Sequence, residues 1–321
     1  MLFYPSHDIA LAHGVRHFNP PVAALRLQED LASLADVWNQ PFLAGEVPFP
    51  QPWGWDWDTR QLLLKKYRVK ASQLPTDEEL ESIRQLSSRQ TTVTLIQQLN
   101  QATGAHYSLP SYLQEMEQVA AYIHEHNSAL QPFVLKTPWS SSGRGLMRST
   151  LPTDSLLRHA QATLQRMGGI MAEEWIEHKV QDFAMLFFVS DSEVKFLGYS
   201  LFDNDGTTYR QGYLMSNESI VQRLQIDPQM LDDISRAYVM ILTQLFRPFF
   251  NKPWQLGYVG IDMMTYGEGS LNIHPCVEMN LRCTMGVVCR LWYEQHQQEG
   301  IFRISAMDST GHFHAEFDTQ M

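Results

Sequence analysis

Apolar and polar positions are most clearly ordered in residues 257–286, GYVGIDMMTYGEGSLNIHPCVEMNLRCTMG. A β-rich apolar run, LGYVGIDMMTY, is followed by the turn signal YGEGS and by a second run, LNIHPCVEMN, whose polar residues gather near its end. The pattern predicts a β-hairpin. Upstream, the long amphipathic stretch from about Pro228 to Phe250 predicts a helix with Pro at its first position, packed on a sheet. FAMLFFVS and EVKFLGYSLF, joined at Ser190-Asp191-Ser192, predict antiparallel strands, with GTTYRQGYLM next.

Helix punctuation organises the middle of the chain. Thr76-Asp77-Glu78-Glu79 is a capping box that opens the helix ELESIRQLSS, and a second helix runs from about Thr91 to Ala102 and stops at Gly104. Ser111 is expected to cap a third, YLQEMEQVAAYIHEHN, before Pro132 introduces the strand PFVLK. Thr153 begins SLLRHAQATLQRM, ended by Gly168 and Gly169, and the strand IMAEEWI emerges from it. VVCRLWYEQHQQ, after Thr284, predicts a last helix before a short β tail. Residues 1–75 read as an irregular α/β lobe, with one helix-like run from about Val22 to Val37. There Trp53, Trp55 and Trp57 alternate as on a strand, with core or lobe-interface packing their expected use. The expected division is 1–75, 76–176 and 177–321.

Composition narrows the class of protein. With 321 residues, 44% hydrophobic and 18% charged, the chain can bury a large core. A formal charge of −11 without a dense basic run argues against a nucleic-acid partner, Lys65 to Lys70 being the nearest candidate. No apolar run reaches the roughly 18 residues a bilayer span needs, and the start lacks signal-peptide order, so a cytoplasmic protein without a membrane partner is expected. Cys276, Cys283 and Cys289 lack zinc-knuckle spacing and read as reduced packing residues. The pairs His124/His126 and His312/His314 lack the i, i+4 spacing of helical metal ligands.

Chemistry concentrates in two places. In the hairpin, Glu278 and Asn280 share a strand face, and a suitable register puts Asp262 opposite them. Two carboxylates and an amide suit a nucleotide-bound Mg²⁺, and Arg282 lies within reach of a phosphate. In LKTPWSSSGRGLMRS, Lys136 ends a β run, and small residues follow whose backbone N–H groups can cradle phosphate oxygens. Neither a Walker A sequence nor a Rossmann fingerprint is present. Each feature alone also fits ordinary structure, a solvated strand end or a flexible turn.

Together, in the order helix, strand with Lys and a Gly/Ser loop, helix, acidic strand end, antiparallel strands and a hairpin carrying D…E-x-N-x-R, they resemble the ATP-grasp superfamily. The likeness covers roughly residues 86–286 and is sharpest at Glu278-Met279-Asn280-Leu281-Arg282. It implies an α+β ATP-grasp fold, two α+β lobes holding ATP between them behind a smaller N-terminal lobe. Lys136 matches the lysine touching α- or β-phosphate, and Ser140, Ser141, Ser142, Gly143, Arg144 and Gly145 match the loop closing over phosphates. Glu173 and the backbone of Glu174, Trp175 and Ile176 match the adenine hinge, with Glu177 or Asp182 holding ribose. Asp262, Glu278 and Asn280 match the magnesium ligands and Arg282 the arginine at the transferring phosphoryl group. Arg89 stands where relatives place a first lysine. The implied activity is a Mg·ATP-dependent ligase that activates a small-molecule carboxylate as an acyl phosphate for attack by an amine or thiol. Arg210, Tyr213 and Asn217 lie where an acceptor could be met. A phosphotransferase on the same scaffold, or a nucleotide-binding protein without turnover, stays open, as does the oligomeric state.

Overall fold

Backbone donors decide how the first part of the chain folds. The computed structural model describes residues 2–128, 131–140, 145–206, 208–305 and 311–319. Among these, no strand precedes Ser111. Instead of the expected α/β lobe there are short helices: α1 (His7–His13), α2 (Val22–Asp30), α3 (Ala35–Trp38), α4 (Gln40–Leu43) and α5 (Trp57–Lys65). Pro-rich segments such as VPFPQPW cannot donate to a ladder, which disfavours strands there. The run from Val22 to Val37 breaks at Leu31 into α2, a 3-10 turn and α3. The tryptophans do not alternate on a strand. Trp57 opens α5, capped by Asp56, whose side chain accepts from Thr59 N at 2.7 Å. Trp53 packs edge-on against Phe3 and Trp38, and Trp55 against Trp254, so their use is core packing.

The capping box forms as expected and starts α6 (Asp77–Leu86), with Glu79 N donating to Thr76 Oγ1 at 3.2 Å and Thr76 N to Glu79 Oε2 at 2.8 Å. α7 (Gln90–Thr103) stops at left-handed Gly104. Ser111 is not a helix cap: Ser111–Leu113 is strand β1, and α8 (Met116–Ser128) begins after it. Three residues are too few to announce a strand, and their pairing is tertiary. The Gln118 side chain accepts from Gln114 N and Glu115 N just before the helix. β2 (Phe133–Lys136), β3 (Leu146–Ser149), α9 (Asp154–Met167) and β4 (Ile170–Glu174) follow. The strands pair antiparallel in the order β1-β4-β2-β3 over a small core that includes Val119, Ile123, Phe133, Leu135, Leu156 and Ile170.

A second antiparallel sheet takes the rest: β5 (Lys179–Val189), β6 (Val194–Asp205), β7 (Thr208–Leu214), then α10 (Asn217–Leu224) and α11 (Pro228–Phe246). α11 ends four residues before Phe250, because Pro248 lacks the N–H to continue it and residues 247–249 tighten into a 3-10 turn. β8 (Gly257–Tyr266), β9 (Asn272–Asn280), α12 (Met285–His296), β10 (Gly300–Ile304) and β11 (Ala315–Asp318) complete the sheet, in the order β11-β10-β7-β6-β5-β8-β9. α11 buries Leu231, Ile234, Tyr238, Ile241 and Leu242, and its neighbours include α7 and β6. This larger core also takes in Phe3, Trp38 and Trp55 from the N-terminal segment and Leu80, Ile83, Leu95 and Ile96 from α6 and α7. Each such buried side chain contributes about 1.5–3 kcal/mol relative to exposure, so the first hundred residues are tied to the second sheet. No helix among the described residues is long and apolar enough to cross a membrane.

Candidate active site

The hairpin register decides where the acidic groups meet. β8 and β9 pair Asp262 with Glu278 and Gly260 with Asn280, and the ladder shifts between Asp262 and Met264. Pro275 lies in the unpaired stretch of β9, where its missing N–H costs nothing, and such bulges re-aim the side chains beyond them. Asn280 donates from Nδ2 to Asp262 Oδ2 at 2.9 Å, which leaves its amide oxygen as an acceptor. Burial, then the charge of Glu278, pushes the Asp262 carboxyl up to about 7 despite Arg282 and Asn280. Two acids and an amide thus converge with less positive charge than Asp262 needs to ionise at its ordinary value. That donor set fits Mg²⁺, which takes one or two carboxylates and leaves positions for phosphates and water. Among the described residues no three His, Cys, Asp or Glu side chains cluster as an all-protein metal cage.

Arg89 ties this hairpin to the other sheet. At the N-terminus of α7 and 5% exposed, it donates from Nη2 to Glu278 Oε2 at 2.8 Å, and from Nη1 to Thr137 O at 2.7 Å and Ser140 Oγ at 2.8 Å. The planar fork of arginine reaches three acceptors where an ammonium presents a point charge. Beside it, Lys136 ends β2 in an ion pair with Glu173 of β4. Burial, then the Arg89 charge, pulls the Lys136 ammonium down to about 7. The charge of Glu278 pulls the other way. Gly145 starts the return to β3 at φ 75°, and a Cβ there would stand 2.5 Å from Thr137 Oγ1, so the close approach requires glycine. Ser141, Ser142, Gly143 and Arg144 lie outside the described residues.

The remaining expected residues spread further. Trp175 N donates to Pro132 O at 2.8 Å, so that hinge amide is already used. Arg148 sits 4.6 Å over the Trp175 ring and bonds Glu177 at 3.3 Å, grouping both at the exposed end of β4. Glu174 is exposed and Ile176 half-buried. Asp182 pairs with Lys179 at 2.7 Å and Asn204 at 3.0 Å on the second sheet. Of the acceptor candidates, Tyr213 donates to Asp203 at 2.6 Å, Asn217 accepts from Tyr199 N and Arg290, and Arg210 is exposed.

Arg282 has a partner that sequence reading missed. It grips Asp8 of α1, from Nε at 2.8 Å and 3.0 Å and from Nη2 at 2.7 Å. Burial alone would raise the Asp8 carboxyl, and the charge and hydrogen bonds of Arg282 more than reverse this, leaving it below the usual carboxylate range. Asp8, His7, Ser87 and Trp139 line a small cavity together with Ser140, Glu278 and Asn280. In sequence only the polar triplet Ser6-His7-Asp8 ahead of an apolar run marks them.

No protein-family model matches the sequence, and no curated protein matches it. Solved structures do. A biotin carboxylase from Campylobacter jejuni, in a β,γ-ATP complex, superposes with a TM-score of 0.51 at 12% identity, over 81% of this chain and 60% of that one. The chain has the ATP-grasp fold. Also similar are N5-carboxyaminoimidazole synthase from Aspergillus clavatus with ADP and 5-aminoimidazole ribonucleotide (TM-score 0.46, 13% identity, 82% of this chain and 64% of that one) and D-alanyl-alanine synthetase A from Vibrio cholerae (0.44, 11%, 62% and 56%). The chain thus spans less than two thirds of the length of these ATP-grasp proteins.

Proposed function

We propose that the protein binds Mg·ATP between its two sheets and uses it to activate a small-molecule carboxylate as an acyl phosphate, which an amine or thiol then attacks with release of ADP and phosphate. The observation that carries this reading is Arg89, whose one guanidinium joins the Lys136 strand end to Glu278 of the acidic hairpin. Phosphate-binding and metal-binding groups are thereby held in one place. Asp262, Glu278 and Asn280 would hold Mg²⁺, which would supply charge neutralisation at the phosphate oxygens. Lys136 and Arg89 bind and orient the phosphates, and fixed cations stabilise charge that develops during transfer without reorganising. Arg282 keeps donors beyond those used on Asp8 and Cys283 O, and these would meet the phosphoryl group that moves. Glu173, Trp175 and Ile176 frame the adenine, with Glu177 or Asp182 at the ribose. Structural neighbours hold adenine nucleotides, β,γ-ATP in the biotin carboxylase and ADP in the carboxyaminoimidazole synthase, and likeness at this level of identity speaks for the fold.

The test is ADP release from Mg·ATP across pools of amino acids and other carboxylates, with hydroxylamine added to trap an activated carboxylate as a hydroxamate. Hydroxamate that depends on ATP supports the ligase. ADP formed on a hydroxyl acceptor without hydroxamate would overturn it in favour of a kinase.

A further inference from the structure

His7 stands at the edge of the cavity described above, and nothing in the ATP chemistry uses it. Its Nδ1 lies 2.7 Å from Asp56 Oδ2, with the two side chains 1% and 2% exposed. The other oxygen of Asp56 accepts from Thr59 N, so Asp56 is fixed at the start of α5. An ionised carboxylate only accepts, so Nδ1 carries the proton, and in the neutral ring Nε2 is left with a lone pair. Nε2 is buried and has no hydrogen-bond partner. Such a group is costly unless something fills its place. Gly54 packs directly against it: a Cβ there would stand 2.6 Å from Nε2 and 2.9 Å from Arg282 Cβ. The orphaned nitrogen is therefore beside the stem of the arginine assigned to the moving phosphoryl group, and one residue from the Asp8 that grips it. A carboxylate orienting one imidazole nitrogen while the other faces a reaction site is how a histidine is set up to accept a proton.

We propose that His7, oriented by Asp56, is the base for the nucleophile, and that this nucleophile is an amine arriving as its ammonium. This rests on the ligase reading. A base is required where the nucleophile arrives with a proton it must lose, as an amine does near neutral pH, and the carboxylates that line the cavity, Asp8 and Glu278, are already paired with Arg282 and Arg89. The ammonium gives one proton to His7 Nε2. Its nitrogen then bonds to the carbonyl carbon as the bond from that carbon to the phosphate oxygen breaks. The electron pair leaves on phosphate, which takes a second N–H proton, and the amide keeps the last. The charged groups around the ring are Asp56, Asp8 and, across Gly54, Arg282, with Glu278 across the cavity.

The experiment supplies Mg·ATP and a mixture of the twenty free amino acids as both carboxylate and amine, reading amide product, with hydroxylamine in parallel. Hydroxylamine is weakly basic and arrives already deprotonated. His7→Asn keeps a donor towards Asp56 and removes the base. Amide formation should fall about a hundredfold, within the range for general-base loss. Hydroxamate should fall only a few-fold, the rising limb of the pH profile should vanish, and added imidazole should restore part of the rate. His7→Gln, whose side-chain amide also donates and is no base, should show the same split and stands in if His7→Asn does not fold. A folded variant with amide formation within twofold of wild type, or an equal loss of amide and hydroxamate, overturns the base role while leaving the ligase intact. Absence of hydroxamate from the wild type overturns the ligase reading and the role of His7 with it.

Discussion

The β8–β9 hairpin and the first 75 residues meet at one site but hold their residues in different ways. The hairpin places Asp262, Glu278 and Asn280 through a backbone ladder, so their geometry follows from register. The N-terminal segment places His7 and Asp8 through long-range anchors: Trp55 Nε1 donates to Gln255 O at 2.8 Å, Cys283 N to Trp53 O at 2.6 Å, and Arg84 Nε to Leu11 O at 2.7 Å. Their acids shift in opposite directions, Asp262 up to about 7 and Asp8 below the ordinary range. The ladder can hold an acid without satisfying it, whereas α1 is tied to the hairpin by the charge of its acid.

That contrast can be broken by substitution. The largest effect is expected at Glu278→Ala, where ADP release should fall by about a thousandfold, the loss seen when a key electrostatic group is removed. Circular dichroism should stay native, because the ladder does not use the side chain. Turnover within tenfold of wild type would refute the metal assignment. Next is Asp262→Asn. The folded acid holds its proton up to about 7 while the unfolded acid releases it near the ordinary value, so the native state binds more protons and wild-type stability falls as pH rises through that window. Asp262→Asn should therefore raise Tm at pH 8 more than at pH 5 while abolishing the Mg²⁺-dependent thermal shift. An equal gain at both pH values would remove the acid pair from the account. Asp8 predicts the reverse: its lowered pKa contributes stability at neutral pH that is lost as pH falls through the folded value. Acid unfolding followed by fluorescence should be less steep in Asp8→Asn than in wild type, and an unchanged slope would mean the Arg282 pair does not tether α1. The smallest effect is Trp55→Phe, which removes one bond to Gln255 O and should cost about 1 kcal/mol in urea unfolding.

What was legible in the sequence tracks the same contrast. The hairpin, the Thr76 capping box, the stop at Gly104 and the antiparallel pair around Ser190 follow from local periodicity and punctuation, and each is present. The opposition of Asp262 and Glu278 was legible too, since strand alternation leaves few registers. The β1 strand was not, because Ser111 to Leu113 exist as a strand only through pairing with Ile170 to Ala172. Nor were the helices of the first 75 residues, whose prolines and tryptophans carry no period and whose partners lie some two hundred positions away, as Trp55 and Gln255 do. Arg89 could be placed at a helix start but not matched to Glu278, 189 positions on.

The grip of Arg282 on Asp8 closes a loop of 274 positions. Contacts so distant along the chain are made late, after the local helices and the hairpin have formed, because the entropy of closing the loop comes before any reward. On a ribosome, α1 emerges early, and Arg282, two residues past β9, must be synthesised before its acid finds a partner. A chain halted before residue 282 can bury much of its apolar surface yet lacks the arginine that fastens α1, so the seating of α1 reports that the two ends of this 274-position loop have met.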